Sequence, residues 1–209
     1  LTYCVHDFHA LCDSWSLINQ FENYCELPAA SVCAKCISAR AEISPSLKRT
    51  SGINQWRQRW KKFLSACNEI RFFSESSRDL FLQAYKKALL DNKCHVKPHA
   101  PLSFYSEAVC PVRQLPFVVC VVGNISIAKG AIILRDMARL ILKQKLPLKI
   151  VVVGNVETYE PSEVCFATGS YQRDELPGLL ERHNAGICFL PSVCPETFSF
   201  VASEVMQLE

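Results

Sequence analysis

The sequence predicts an α/β protein in which helices cover parallel β-sheets. Apolar runs of strand length alternate with segments in which apolar residues recur at helical spacing, and this alternation is typical of parallel sheets. Residues 98–116 contain four prolines and few regularly spaced apolar residues, as linkers do. We therefore predict two α/β domains, at 1–110 and 111–209, and we expect both to be truncated.

The first predicted domain begins with a strand and contains a long loop. Leu1–Val5 is a short apolar run that predicts a buried strand, and residues 9–50 predict a loop without regular structure. Apolar residues within Gln55–Cys67 recur at helical spacing and predict a helix. The rest of this half is predicted as a strand at 69–73, a helix at 74–90 and a closing segment at 94–97.

The second predicted domain has a more regular pattern, which indicates a doubly wound unit. Its apolar runs predict strands and its periodic segments predict helices. The predicted strands are 117–122, 149–153, 164–167 and 186–190, and the predicted helices are 129–145, 174–183 and a last one from Thr197 onward.

Composition excludes several classes of protein. The chain is 49% apolar and 21% charged, which is ordinary for globular proteins and argues against wholesale disorder. Its longest apolar run, 115–122, is too short to span a bilayer. The net charge of +3 and the lack of an arginine-rich tail argue against nucleic acid as a partner. No signal peptide is apparent, so we expect a cytoplasmic protein.

A glycine-flanked turn at the end of the first strand of the second half is a candidate phosphate site. The turn GNISIAKG, Gly123 to Gly130, joins a predicted strand to a predicted helix. Glycine permits close approach of the backbone, and a helix start offers free N–H groups to an anion. Lys129 would add a positive charge, although a lysine at a helix start is most often only solvated. The pattern is neither a GxGxxG nor a P-loop motif.

Two glutamates with seven residues between them form a second candidate site. The segment PETFSFVASE contains Glu196 and Glu204, which would be about 12 Å apart on a helix rising roughly 1.5 Å per residue. They therefore cannot share one metal or proton, but they can hold the two ends of an elongated ligand. The alternative is that Glu196 complements a helix dipole and Glu204 is a surface residue.

Together these segments resemble the donor-binding domain of family 4 glycosyltransferases. The resemblance covers some 90 residues and rests on four segments: GNISIAKG, TGSYQRDELPGLL, NAGICFLPS and PETFSFVASE. The last is similar to the family's E-x7-E motif. The resemblance implies a GT-B enzyme of two Rossmann-like domains, of the type that serves bacterial polysaccharide synthesis. It would transfer a sugar from a nucleotide-diphosphate sugar with retention of configuration, and no catalytic cofactor is expected.

The same resemblance assigns roles to individual residues. Glu196 would contact the sugar, Glu204 would accept hydrogen bonds from the ribose hydroxyls, and Lys129 would neutralise the diphosphate leaving group. Tyr171 would lie near the base. The backbone donors and close-approach positions implied for the donor are Gly123, Asn124, Gly130, Thr197, Phe198 and Ser199.

One position departs from the family pattern, and one in the first half agrees with it. Many members carry an arginine where this chain has Asn124, which leaves the diphosphate with one cation fewer. The segment VHDF resembles the family strand whose histidine faces the donor sugar, so His6 is a candidate catalytic residue. Its alternative role is purely structural.

Four cysteines of the first half have the spacing of a metal site. Cys12, Cys25, Cys33 and Cys36 are separated by 12, 7 and 2 residues, and CxxC is typical of tetrahedral zinc sites. Similar loops occur in many family 4 sequences. A structural zinc is one interpretation, with His9 as a replacement ligand; free thiols or disulfides are the others.

A basic segment at 48–67 is a candidate membrane contact. It carries six basic residues and no acidic one between Lys48 and Lys62, together with Trp56 and Trp60 at helical spacing. Such a helix can lie on an anionic membrane, here the inner face of the plasma membrane, near a lipid-linked acceptor. The alternative is a helix packed on the core with a solvated basic face.

These observations predict a retaining glycosyltransferase that acts on a growing polysaccharide or a lipid-linked acceptor. The alternative is a degenerate transferase domain that binds a nucleotide sugar, or only a partner, without catalysis. Asn124 favours the alternative, whereas the intact pair Glu196 and Glu204 favours the enzyme.

Overall fold

The chain is an α/β protein with two separate sheets whose strands are all parallel. The computed structural model describes residues 1–40, 52–85, 91–100, 103–106, 108–158 and 161–208. The chain divides into unit 1, formed by Leu1–Ala100 with Cys194–Phe198, and unit 2, formed by Pro101–Val193 with Ser199–Glu209. Within these described ranges, no helix is both long enough and apolar enough to cross a membrane.

Unit 1 contains a three-stranded sheet of order β1-β2-β3. Its core includes fully buried Phe72 of β2 and Phe81 of the helix that follows, because alternate strand residues and one helix face turn inward. The strands are β1, Thr2–Cys4, β2, Glu69–Phe72, and β3, Cys94–Val96. The helices are α1, Ala30–Ala39, α2, Ile53–Ala66, and α3, Glu75–Tyr85.

Unit 2 contains a four-stranded sheet of order β6-β5-β4-β7. The chain runs outward from β4 to β6 and then crosses to β7 on the other side of β4, so the strand order reverses at β4. The strands are β4, Phe117–Val122, β5, Leu148–Val153, β6, Cys165–Ala167, and β7, Ala185–Cys188. The helices are α4, Ala131–Gln144, α5, Leu176–Arg182, and α6, Phe200–Val205.

Helices cover both faces of the unit 2 sheet. Successive residues of β5 belong to different core clusters, since Val152 packs with the α4 residue Leu134 and Val153 packs with the α5 residue Leu180. The α6 residue Val201 lies with the second cluster. This arrangement is compatible with a Rossmann-like fold.

The structure confirms the predicted α/β class and the predicted parallel strands. Strands at 69–73 and 117–122 were expected and lie at Glu69–Phe72 and Phe117–Val122. The helix predicted at 55–67 lies at Ile53–Ala66. Residues 86–90 of the helix predicted at 74–90 lie outside the described residues, as do residues 41–51 of the Cys-rich loop and the basic segment.

The prediction that residues 9–50 lack regular structure is wrong. Helix α1 lies within this range and carries both cysteines of the CxxC motif. Leu11 and Leu17 are fully buried in the unit 1 core. The loop is thus ordered partly by apolar packing, which the low density of apolar residues along the sequence concealed.

The helix predicted to begin at Thr197 begins instead at Phe200. The Ser199 hydroxyl accepts a hydrogen bond from the Ala202 N–H at 3.3 Å, which makes Ser199 the N-cap. The Thr197 hydroxyl donates to the His6 carbonyl at 2.8 Å, within unit 1. An N-cap serine thus sets the helix start in place of the threonine two residues earlier.

Candidate functional site

A cavity of about 440 Å³ opens at the carboxyl edge of the unit 2 sheet. It lies beside β4, where the strand order reverses, which is the place where open α/β sheets bind ligands. All of its lining residues except Glu204 directly follow strands β4, β5 or β6 or lie in the segment after them. The lining residues are Gly123, Asn124, Gly154, Ser170, Tyr171, Arg173 and Glu204.

The strand ends at this edge are held close together by backbone and amide contacts. A Cβ atom on Gly154, whose φ is +137°, would lie 2.1 Å from the Gly123 carbonyl oxygen, so only glycine fits there. The side-chain amide of Asn155 donates to Asn124 Oδ1 at 3.1 Å and to Ser170 Oγ at 3.0 Å. One wall of the cavity is therefore a fixed polar surface.

A capped turn fixes the loop that carries Tyr171 and Arg173. Gln172 and Glu175 form a capping box in which the Gln172 N–H donates to Glu175 Oε2 at 2.6 Å. The cap holds the residues on either side of Gln172 against the cavity. Burial, followed by the nearby Glu204 charge, raises the pKa of the Tyr171 hydroxyl, so this group remains a neutral hydrogen-bond donor at physiological pH.

Glu204 is a buried carboxylate in the cavity wall. Its side chain is 8% exposed and its Oε1 accepts a hydrogen bond from Arg173 Nε at 2.8 Å. A carboxylate that is largely removed from water requires such a partner, because an unpaired buried charge is destabilising. The alternative interpretation, in which Glu204 is a surface residue, is therefore wrong.

The residues predicted for the diphosphate lie in the turn after β4. Gly123 and Asn124 line the cavity, whereas the lining residues do not include Lys129, which is half-buried. Gly130 is the N-cap of α4, and a Cβ atom there would lie 2.3 Å from the Pro191 carbonyl oxygen. This close approach leaves room only for a glycine at position 130, and it holds the turn against the segment that follows β7.

The other predicted site residues belong to unit 1, except Ser199, which belongs to unit 2. His6 is exposed at the end of β1, and Glu196 is half-buried. Thr197 is buried and bonded to the His6 carbonyl, and the Phe198 ring lies 4.4 Å from the ring of His99. His6, Glu196, Thr197 and Phe198 are thus in unit 1, and Glu204, Lys129 and Tyr171 are in unit 2.

A row of neighbouring rings in unit 1 adds two residues, Phe73 and His99, that were not singled out from the sequence. The ring of Phe73 lies 5.0 Å from the ring of His6 and stacks on His99 at 4.0 Å. The His99 ring also contacts Phe198. The rings of His6, Phe73 and His99 follow β1, β2 and β3 respectively. They meet because parallel strands end at one edge of a sheet, a relation that sequence spacing does not contain.

The four predicted metal ligands lie in one region of unit 1. Cys12 and Cys25 pack against the unit 1 core, and Cys12 and Cys33 both pack against Ile53 and Trp56. Burial raises the pKa of the Cys12 thiol to about 11, and the charges of Cys25, Cys33 and Cys36 add to the effect. Within the described ranges, no three His, Cys, Asp or Glu side chains are arranged to hold a metal.

Helix α2 turns its tryptophans toward the core. Trp56 is buried and its indole N–H donates to the His9 carbonyl at 2.9 Å, while Trp60 is half-buried. Arg59 and Lys62 are exposed. Any contact of this helix with a membrane would therefore rest on its basic face and not on inserted tryptophans.

A scan against models of known protein families and a search of curated proteins return no match to this chain.

Proposed function

We propose that the chain is a retaining glycosyltransferase that binds a nucleotide-diphosphate sugar in the unit 2 cavity. The observation that carries this proposal is the buried carboxylate of Glu204 in a cavity beside β4, where the strand order of a parallel sheet reverses. A carboxylate held there can accept two hydroxyl hydrogen bonds from a ribose. The resemblance to family 4 assigns the same role to this glutamate.

In the proposed donor site, each residue contacts one part of the nucleotide sugar. Gly123 and Asn124, after β4, would meet the diphosphate, and Lys129 would stabilise the charge that grows on it as the glycosidic bond breaks. Tyr171 would lie against the nucleoside. The resemblance assigns contact with the sugar to His6 and Glu196, both in unit 1. It assigns backbone donors to Thr197 and Phe198 of unit 1 and to the N-cap Ser199 of unit 2.

On this proposal each unit corresponds to one Rossmann-like domain of a GT-B enzyme, and the acceptor is a growing polysaccharide or a lipid-linked glycan. A cytoplasmic location, with electrostatic contact of the basic face of α2 to the plasma membrane, belongs to the same proposal. Binding of the chain to vesicles containing anionic lipid, compared with neutral vesicles, tests this contact.

A second function is favoured by Asn124. Where the resembled family has an arginine, this chain has a neutral amide that accepts a hydrogen bond from Asn155, so the diphosphate has one cation fewer. A domain that binds a nucleotide sugar without transferring it would tolerate this change. Incubation of the chain with radiolabelled donor sugars and lipid-linked or polysaccharide acceptors separates the two: label in the acceptor supports the enzyme, whereas binding without transfer or hydrolysis supports the second function.

We also propose that Cys12, Cys25, Cys33 and Cys36 bind one structural zinc ion. Their location in one region of unit 1 supports this, although their side chains must rotate to converge on a metal. Since Leu11 and Leu17 already anchor the loop, zinc would add stability and not be needed for folding.

Elemental analysis of protein purified without added metal tests the zinc proposal. We expect about one zinc per chain, which a Cys33→Ser/Cys36→Ser variant loses and a Cys110→Ser variant, altered at an exposed cysteine, retains. A native preparation that contains no zinc, or cysteines oxidised in two disulfides, would contradict the proposal.

A further inference from the structure

Arg173 is held in the unit 2 cavity from two sides. Its Nε donates to Glu204 Oε1 at 2.8 Å, and its guanidinium carbon lies 4.2 Å above the centre of the Phe104 ring. Its backbone carbonyl accepts a hydrogen bond from the Tyr105 hydroxyl at 3.0 Å. Although its side chain is 55% exposed, the guanidinium is therefore fixed in position and orientation before any ligand binds.

The hydrogen bonds of Arg173 leave one side of its guanidinium available to a ligand. Within the described residues its side chain donates only through Nε, to Glu204. The two terminal nitrogens, Nη1 and Nη2, carry four further N–H groups. Because Arg173 also lines the cavity, these donors are the cavity's strongest means of recognising an acceptor atom.

The charge of the pair determines which ligand atoms it suits. Glu204 and Arg173 together are neutral, so a bare phosphate would be attracted by the guanidinium and repelled by the carboxylate at nearly the same distance. A neutral group that presents a hydrogen-bond donor and an acceptor side by side satisfies both. The nucleoside part of a nucleotide has this character, with ribose hydroxyls for Glu204 and base atoms for Arg173.

We propose that Arg173 is a specificity-determining residue that donates to a carbonyl oxygen of the nucleotide base, so that the cavity accepts uracil or guanine in preference to adenine. This inference rests on the proposed nucleotide site. A guanidinium has donors and no acceptor, so it must face an acceptor atom. Uracil and guanine present carbonyl oxygens, and guanine also matches a two-pronged arginine contact. Adenine has an amino donor in place of the guanine carbonyl and offers the guanidinium only ring nitrogens as acceptors.

Calorimetric titration of the full chain with UDP, GDP and ADP tests the inference. We expect UDP or GDP to bind about 5- to 150-fold more tightly than ADP, the range of one good two-pronged base contact. Arg173→Ala should reduce this ratio to less than about threefold, and Arg173→Lys, which keeps the charge without the planar fork, should give an intermediate ratio. Arg135→Ala, which removes an arginine paired with Asp136 on α4, should leave the ratio unchanged.

The outcomes distinguish failure of the inference from failure of the proposed function. If the wild-type chain binds all three nucleotides equally, or if Arg173→Ala weakens them all by the same factor, the nucleotide site stands and base selection by Arg173 is overturned. If no nucleotide binds the wild-type chain, the proposed function fails and the inference with it. Should Arg173→Ala prevent folding, the ratio measured for Arg173→Lys decides, and an unchanged ratio there overturns the inference.

Discussion

Replacement of Glu204 by glutamine should weaken nucleotide binding far more than it weakens the fold. The substitution keeps the size of the side chain but removes its charge, so a ribose would lose charge-assisted hydrogen bonds worth roughly 1.5–3 kcal/mol. This corresponds to about a 10- to 150-fold loss of affinity. The reason is local: the carboxylate is 8% exposed and water replaces its bonds poorly.

The expected effect on stability is smaller because Arg173 can be hydrated when its partner loses charge. Its side chain is 55% exposed, so the pair contributes at most about 1 kcal/mol to the free energy of unfolding. Glutamine can still accept the Arg173 hydrogen bond. Urea unfolding of Glu204→Gln should therefore show a change of about 1 kcal/mol or less.

Calorimetric titration with a nucleoside diphosphate measures the affinity, and urea unfolding measures the free energy of unfolding, of the wild-type chain and of Glu204→Gln. The matched control is Glu181→Gln, an exposed glutamate on α5, which should change neither. An affinity of folded Glu204→Gln within twofold of the wild type would refute the role of Glu204 in binding. A large loss of stability with unchanged affinity would make the carboxylate a purely structural partner of Arg173.

Three further predictions concern other parts of the chain. On the proposed function, Lys129→Ala should lower kcat more than donor affinity, because the lysine charge would stabilise the leaving diphosphate; equal losses in single-turnover rate and in calorimetric affinity would contradict this. Gly130→Ala should destabilise the chain by at least about 2 kcal/mol in urea, since φ is +93° and the new Cβ would lie 2.3 Å from a backbone oxygen, whereas Gly178→Ala, with no neighbour within 4 Å, should not destabilise it. Lys97 is the main cause that lowers the pKa of Glu69 to about 2, so the stability that Glu69 provides should decline as pH falls below about 4.5; a Tm profile of Glu69→Gln parallel to that of the wild type over this range would contradict the assignment.

The strands could be predicted because their apolar runs are local signals. Phe117–Val122 reads as a buried strand and forms one, and parallel neighbours follow from the helices between them. Helix α1 was missed because its apolar stripe is weak: Ala30, Cys33 and Ile37 pack against Ile53 and Trp56, but none of the helix residues is buried. The start of α6 was placed too early because a threonine and a serine compete there for the N-cap.

Only those residues of the candidate site that belong to a sequence motif could be predicted. Glu204 was singled out from its spacing to Glu196, but its partner Arg173 was not, because the two meet only when β6 and α6 are folded into one unit. Asn155 was missed for the same reason. It directly follows a glycine at a strand end, as Asn124 does, and this shared position is a signal in the sequence. Contacts between residues that are distant in the chain produce no regular spacing in the sequence from which they could be predicted.

A structure of the chain crystallised with a nucleoside diphosphate at saturating concentration tests the central claim most directly. We predict that the nucleotide occupies the unit 2 cavity, with its ribose hydroxyls within hydrogen-bond distance of Glu204 and its diphosphate at the turn that contains Gly123 and Asn124. A nucleotide bound at another surface, or a cavity that holds only solvent while calorimetry detects no binding, would contradict the proposed function.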